Sequence, residues 1–197
     1  MDAVDEAFVA VPRSDFLPRG ARWRAGYDGP LTIGHGGTCS QPRTVAAMLR
    51  LLEVHRGHRV LDVGSGSGWT TALLGHLVGP NGHVVGVEIE PHLAQWGADN
   101  VARAGMPWAH ARTAEPAVLG LPREGPWHRI LVSADARHLP QPLVDQLADP
   151  GRLVVPVAGR MTLVVLEGGE LQVSQHGYYR FVPLRTPRTP PAPPGGS

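Results

Sequence analysis

Residues 60–69 read Val-Leu-Asp-Val-Gly-Ser-Gly-Ser-Gly-Trp, and the reading of this stretch decides the fold. The run "RVLDVG" (59–64) is apolar, β-branched and too short for a helix, the pattern of a buried parallel strand. Glycines 64, 66 and 68 follow it, where a backbone without side chains can approach a ligand and present amide N–H groups from the start of the next helix. A dinucleotide fingerprint would carry glycine at position 69, and Trp69 stands there instead. The next strand, "HVVGVEI" (83–89), carries Glu88 about 20 residues beyond the glycines, the separation at which a carboxylate takes two ribose hydroxyls. Tight strand-to-helix turns use glycine in any case; loop and spaced acid together point to a nucleoside ligand.

Outward from this centre, helical and extended patterns alternate. Residues 41–53 place Val45, Met48, Leu49 and Leu52 on one face, with Ser40 as the expected N-cap and Pro42 in the first turn. Helices are predicted over 69–78, 91–104 and 141–148, and strands over 108–112, 129–134, 151–157 and 162–167. This alternation predicts a doubly wound α/β fold with a mostly parallel sheet and an antiparallel C-terminal edge. Residues 1–184 are expected to form one domain, and 185–197, "RTPRTPPAPPGGS", a disordered Pro/Gly-rich tail.

Composition narrows the chemistry. All 18 basic residues are arginine, so neither a P-loop lysine nor a Schiff-base lysine is available. Against 17 acidic residues they leave a net charge of +1 without a basic stripe, which argues against a nucleic-acid partner. No apolar run reaches membrane-spanning length, and the acidic start "MDAVDEAF" is unlike a secretory signal, so a cytoplasmic protein without a membrane partner is expected. The one cysteine, Cys39, excludes an internal disulfide framework. The close pair His55 and His58 lacks a third ligand nearby and reads as surface histidines, so no metal is expected.

A second motif, Gly34-His35-Gly36-Gly37-Thr38-Cys39-Ser40-Gln41-Pro42, combines glycines with a hydroxyl at a helix start. "VLDVGSGSGW", "VVGVEIEPHLA" and "GRLVVPV" look like the S-adenosylmethionine-binding motifs of class I methyltransferases. Together with "VPRSDFLP", "IGHGGTCSQP" and "YYRFVPL" (178–184), the chain resembles the protein-L-isoaspartate O-methyltransferase family from about residue 5 to 184. The resemblance implies a seven-stranded methyltransferase sheet and S-adenosylmethionine as cosubstrate. It also implies a protein or peptide substrate bearing an isoaspartyl or aspartyl residue, and a monomer.

Carried over residue by residue, it assigns cosubstrate binding to Asp62, Gly64, Ser65, Gly66, Gly68, Glu88 and Ile89. Ser40 matches the serine between cosubstrate and substrate carboxyl, Thr38 a neighbouring loop position, and Gly37, Ser133, Ala134 and Asp135 the substrate side. The chain departs from the family in three places. Ala114-Glu115-Pro116 replaces a Gly-Asp-Gly, leaving Glu115 as the candidate for the adenine amine. Ser133-Ala134-Asp135 replaces Thr-Ala-Ala and sets an acid beside a carboxylate site, and the chain begins within the family's first helix. A carboxylate acceptor, with a reference pKa of about 4, needs no general base at neutral pH, so alignment and exclusion of water are the expected catalytic means.

The expected activity is carboxyl methylation of isoaspartyl residues, the ester then collapsing to succinimide. The alternatives are methylation of one aspartate in a ribosomally made peptide, giving an aspartimide, and a non-catalytic S-adenosylmethionine-binding module. "SADA" after the fourth strand lacks the Asn/Asp-Pro-Pro-aromatic motif of amino methyltransferases, and "GSGSG" has glycine where a serine hydrolase needs its nucleophile.

Overall fold

In the computed structural model, which describes residues 2–115 and 117–185, the chain opens with helix α1 (Ala3–Ala10), closed at its start by a reciprocal capping box between Asp2 and Asp5. Two 3-10 turns, Arg13–Phe16 and Arg19–Arg24, lead to a hairpin of β1 (Leu31–Gly34) and β2 (Gly37–Cys39). Helix α2 (Pro42–Leu52) buries the face read from the sequence: Val45, Met48, Leu49 and Leu52 are all at most 1% exposed. The sheet then begins with β3 (Arg59–Val63), α3 (Trp69–Val78), β4 (His83–Glu88), α4 (Pro91–Arg103) and β5 (Ala109–Thr113). It continues through β6 (Trp127–Val132), the single-turn α5 (Gln141–Val144), β7 (Leu147–Val157), β8 (Arg160–Glu167) and β9 (Glu170–Tyr178).

Seven strands form one sheet in the order β5-β4-β3-β6-β7-β8-β9. The strands from β5 to β7 are parallel to their neighbours, whereas β7-β8 and β8-β9 pair antiparallel. From β3 the chain winds outward through β4 and β5, then returns to the other side of β3 as β6. The strand order therefore reverses between β3 and β6, and the crevice beyond their carboxyl ends is where such folds bind ligands. Period-two alternation divides the core: Val60 packs with the α1–α4 side, Leu61 and Val63 with Trp127, Leu143 and Leu153 on the other.

The structure corrects two local expectations and adds a strand. Ser40 is not the N-cap of α2; that position is Gln41, which makes no side-chain capping bond. The work is done from a distance by Asp28, whose carboxylate accepts from the Arg43 amide (3.1 Å) and the Gln41 side chain (3.1 Å). The Arg43 amide, foremost, holds the Asp28 carboxyl below the usual carboxylate range.

The helix expected over 141–148 ends at Val144, and Leu147 already belongs to a strand. Two causes act there: residue 149 precedes Pro150, which disfavours helix, and the Gln146 side chain is claimed by Leu121 N (2.7 Å) and Leu119 O (2.9 Å). Strand β9 had no clear signature, because its Leu171 and Val173 remain 50% and 56% exposed at the sheet edge. Residues 186–197, most of the expected tail, and Pro116 lie outside the described residues.

Candidate active site

The carboxyl ends of β3, β4 and β6 are stitched by backbone hydrogen bonds that run past the last strand residues. Gly64 N and Ser65 N both donate to Val87 O (2.8 and 3.1 Å), and Ser133 N donates to Val63 O (2.9 Å). A cavity of about 310 Å³ lies beyond these ends. The sequence candidates Gly64, Ser65, Gly66, Glu88, Ile89 and Glu115 line it on one side, and Gly37, Thr38, Ser40, Ser133 and Ala134 complete its wall.

Three candidates do not line it, and each has another task. Asp62 is wholly buried beneath the loop, where its Oδ2 accepts from Thr70 and Thr71, both at 2.7 Å. Burial, reinforced by Glu88, pushes its carboxyl up to about 6 against the pull of those two hydroxyls. Gly68 is needed for its left-handed backbone (φ 84°) and for close packing, since a Cβ there would meet Gly97 O and Val101 Cγ2 at 2.7 Å. Asp135 exchanges backbone hydrogen bonds with Val182 and Leu184, both at 2.8 Å, and its Oδ1 accepts from Gly159 N (3.1 Å). The Asp135 backbone thus clamps the C-terminal segment, while its carboxylate is engaged by the Gly159 amide.

Glu88 is oriented by the chain itself. Gly66 N donates to Oε2 (2.9 Å) and Glu90 N to Oε1 (3.0 Å), fixing the carboxylate and leaving further lone pairs on both oxygens. Ser65 Oγ is buried at the cavity wall without any hydrogen-bond partner among the described residues. An orphaned hydroxyl, a fixed carboxylate and a backbone cradle suit a polar, ribose-bearing ligand.

The Ser40 side of the cavity is organised by a residue to which the sequence assigned no role. Arg13, 5% exposed, sends Nη2 to Gly29 O (2.8 Å), Cys39 O (2.9 Å) and Ser40 O (2.8 Å), and Nη1 to Tyr27 O (2.8 Å). Its guanidinium also lies over the Trp69 ring, 5.5 Å from the centroid. Trp69 Nε1 donates to Val11 O (3.1 Å), and Phe8 packs edge-on against the same ring at 5.3 Å. The residue that broke the dinucleotide fingerprint is thus the plate that couples the glycine loop to Arg13. The only sequence signal for Arg13 was its place in "VPR", used as a mark of resemblance and not of role.

The glycine stretch needs little side chain for two reasons. Gly34, His35 and Gly36 all have positive φ (91°, 50° and 76°), and a Cβ on Gly37 would approach Leu93 Cδ1 to 2.8 Å. Ser40 is left half-buried on the cavity wall, its hydroxyl making no hydrogen bond among the described residues. Cys39 beside it is buried, with Sγ accepting from Arg13 Nε (3.5 Å), and burial pushes its thiol upward against the opposing effect of Arg13, which disfavours the thiolate. His58 is half-buried and stacks on His128 (5.3 Å); burial, with Arg129 adding to it, pushes its imidazole down to about 4. Among the described residues, no group of three His, Cys, Asp or Glu side chains could hold a metal ion.

One cavity at the strand reversal, divided between a glycine-loop cradle with a fixed carboxylate and a separately held hydroxyl loop, defines the class as a doubly wound α/β protein with a site suited to a ribose-bearing ligand. Comparison with known proteins narrows it. The family model "Protein-L-isoaspartate(D-aspartate) O-methyltransferase" matches residues 1–189. A protein-L-isoaspartate O-methyltransferase of Methanopyrus kandleri is 41% identical over 186 residues, covering 92% of this chain and 82% of that one. Another, from Methanocella arvoryzae, is 41% identical over 177 residues, covering 88% and 94%. A crystal structure titled as a Plasmodium falciparum putative protein-L-isoaspartate O-methyltransferase in complex with S-adenosyl-L-homocysteine superposes with a TM-score of 0.81 at 27% identity, covering 94% of this chain and 91% of that one. The chain belongs to the protein-L-isoaspartate(D-aspartate) O-methyltransferase family.

Proposed function

We propose that this chain transfers a methyl group from S-adenosylmethionine to the free carboxylate of L-isoaspartyl residues in proteins or peptides, as the first step of repair. The observation that carries the reading is the single cavity shared by the Glu88 cradle and the Ser40 loop. Family membership supports the choice of cosubstrate and acceptor and disfavours both aspartate tailoring and a non-catalytic module. S-adenosylmethionine, when bound, supplies a methyl group activated by a sulfonium.

Everything else falls to the chain's own residues. Glu88, fixed by two amides, takes the ribose hydroxyls; Ser65 offers its unpartnered hydroxyl, and Glu115, which lines the same cavity, takes the adenine amine in this proposal. Ser40 donates to the acceptor carboxylate and orients one oxygen, with Thr38 and Gly37 shaping the same wall and Ser133 and Ala134 the opposite one. The acceptor is ionised at neutral pH, so no proton has to be removed. The new C–O bond forms as the S–C bond breaks, joining an anion and a cation into two neutral products. Such a charge-quenching step is favoured when the bound ligands fill the cavity and displace its water. In the product, the neighbouring backbone nitrogen attacks the ester carbonyl, methanol leaves, and the succinimide opens by hydrolysis.

Residues 1–184 act in this proposal as one methyltransferase domain and as a monomer, a state that light scattering checks. A cytoplasmic setting agrees with the one buried, unpaired cysteine. The deciding experiment offers matched isoaspartyl and aspartyl peptides with S-adenosylmethionine and follows products by mass spectrometry. Methyl ester and succinimide from the isoaspartyl peptide alone are expected. Modification of only the aspartyl isomer, or no S-adenosylhomocysteine with either, would overturn the proposal.

A further inference from the structure

The cavity is lined by three carboxylates, Glu88, Glu90 and Glu115, although its proposed acceptor is an anion. Only one guanidinium lines it among the described residues, that of Arg185. Its Nη2 lies 3.8 Å from the place a Cβ on Gly36 would occupy, so the side chain leans over the acceptor loop. Arg185 is exposed and, among the described residues, makes no ion pair with a carboxylate of this chain. Its position is set by the clamp described above. The parallel bridge of Asp135 with Pro183, with the hydrogen bonds to Val182 and Leu184, lays the segment before it along the carboxyl end of β6.

We propose that Arg185 binds the acceptor carboxylate beside the Gly36 loop and is a determinant of substrate recognition, an inference that rests on the methyl-transfer reading above. A guanidinium matches a carboxylate with paired, charge-assisted donors, and it offsets the repulsion from the three acids around it. The pairing also distinguishes substrate from product. Methylation turns the anion into a neutral ester, which accepts hydrogen bonds without the charge term, so Arg185 holds the acceptor before transfer and releases it after.

The test is calorimetry of isoaspartyl peptides binding to the full chain saturated with S-adenosylhomocysteine, beside steady-state methylation. Two peptides are compared, one with an acidic residue flanking the isoaspartate and one without. Arg185→Ala is expected to weaken binding and raise KM about tenfold for both peptides, with kcat changed less than about twofold and S-adenosylhomocysteine affinity unchanged. Arg185→Lys should recover part of the loss, since it keeps the charge without the fork. The methyl-ester peptide should bind wild type and Arg185→Ala equally. Unchanged peptide affinity would overturn the proposal, as would a loss confined to the acid-flanked peptide or a parallel loss of S-adenosylhomocysteine affinity. Because binding is read without turnover, absence of methyl transfer with the affinity difference intact would overturn the role of Arg185 in substrate recognition for transfer together with the functional reading, and would show a carboxylate-binding site only.

Discussion

The two walls of the cavity are built by different physics. The core of the Glu88 wall comes from consecutive chain, a strand, a turn, a helix and the next strand, with the hydrogen bonds that fix Glu88 and Asp62 made between residues 62 and 90. The Ser40 wall comes from remote pieces, the 3-10 turn at Arg13, the carbonyls at 27–29, the hairpin end at 39–40, and Val182–Arg185. Local sequence can specify the first; the second exists only once the whole chain is folded. If that division is real, mutations should separate cosubstrate binding from transfer.

The largest effect is expected at Arg13. Arg13→Met leaves the carbonyls of Gly29, Cys39 and Ser40 facing an apolar side chain in a buried setting, at a cost of about 3 kcal/mol or more in stability. Methyl transfer should fall by about a hundredfold or more, while calorimetry on the protein that remains folded shows S-adenosylmethionine affinity within about threefold of wild type. Arg13→Lys should not rescue transfer, because one ammonium cannot span the same set of carbonyls. Equal loss of affinity and transfer would break the division.

Asp62 sharpens it from the cosubstrate side. Its carboxyl rises from 3.8 in the unfolded chain to about 6 in the fold, so the folded state binds the proton more tightly. The sign is therefore opposite to that of a salt-bridged acid: the contribution is fully present below pH 4 and is lost as pH climbs through 6. The shift corresponds to about 3 kcal/mol across that window. Asp62→Asn, which cannot titrate, should show a stability difference from wild type that changes with pH between 4 and 6 and is flat above 7. Chemical denaturation at a series of pH values reads this directly, and a pH-independent difference would contradict the burial argument.

Glu88→Ala should reverse the Arg13 signature. It removes the carboxylate that Gly66 and Glu90 amides hold in place, and affinity for S-adenosylmethionine should drop about ten- to a hundredfold. Peptide affinity should move little, since Glu88 contributes no bond to the Ser40 loop, while stability falls by about 1–2 kcal/mol as the Gly66 and Glu90 amides lose their acceptor. Calorimetry with each ligand separately provides the check.

The same division explains what the sequence disclosed. Strands β3 and β4, the glycine turn, α2 and its buried face were legible because their signals repeat within a few residues. Glu88 was singled out by its spacing from the glycines and Ser65 by resemblance, and both line the cavity. Asp62 and Gly68 lie beneath the loop and outside the cavity lining, because a motif does not reveal whether a side chain faces the cavity or the layer below. Arg13, Asp28 and Arg185 were invisible as site-builders: their partners lie 13–27 residues away or across the fold, and a lone charged residue carries no periodicity. The short α5 was overread because Gln146 is spent on a loop that local pattern does not show.

The smallest structural effect, and the sharpest separation, is expected at Ser40. As an N-cap its loss would cost about 1 kcal/mol. Asp28 holds that helix start instead, and only the Ser40 backbone carbonyl is used by Arg13, a bond that alanine retains. Ser40→Ala should therefore change stability by less than about 0.5 kcal/mol, within the range of an ordinary surface substitution. If its hydroxyl orients the acceptor carboxylate, transfer should still fall about tenfold or more, with S-adenosylmethionine affinity unchanged. Thermal unfolding and single-turnover methylation of the same preparation compare the two quantities. A stability loss near 1 kcal/mol with unaltered transfer would return Ser40 to a structural role and leave the acceptor wall with Arg185 as its remaining chemical contact.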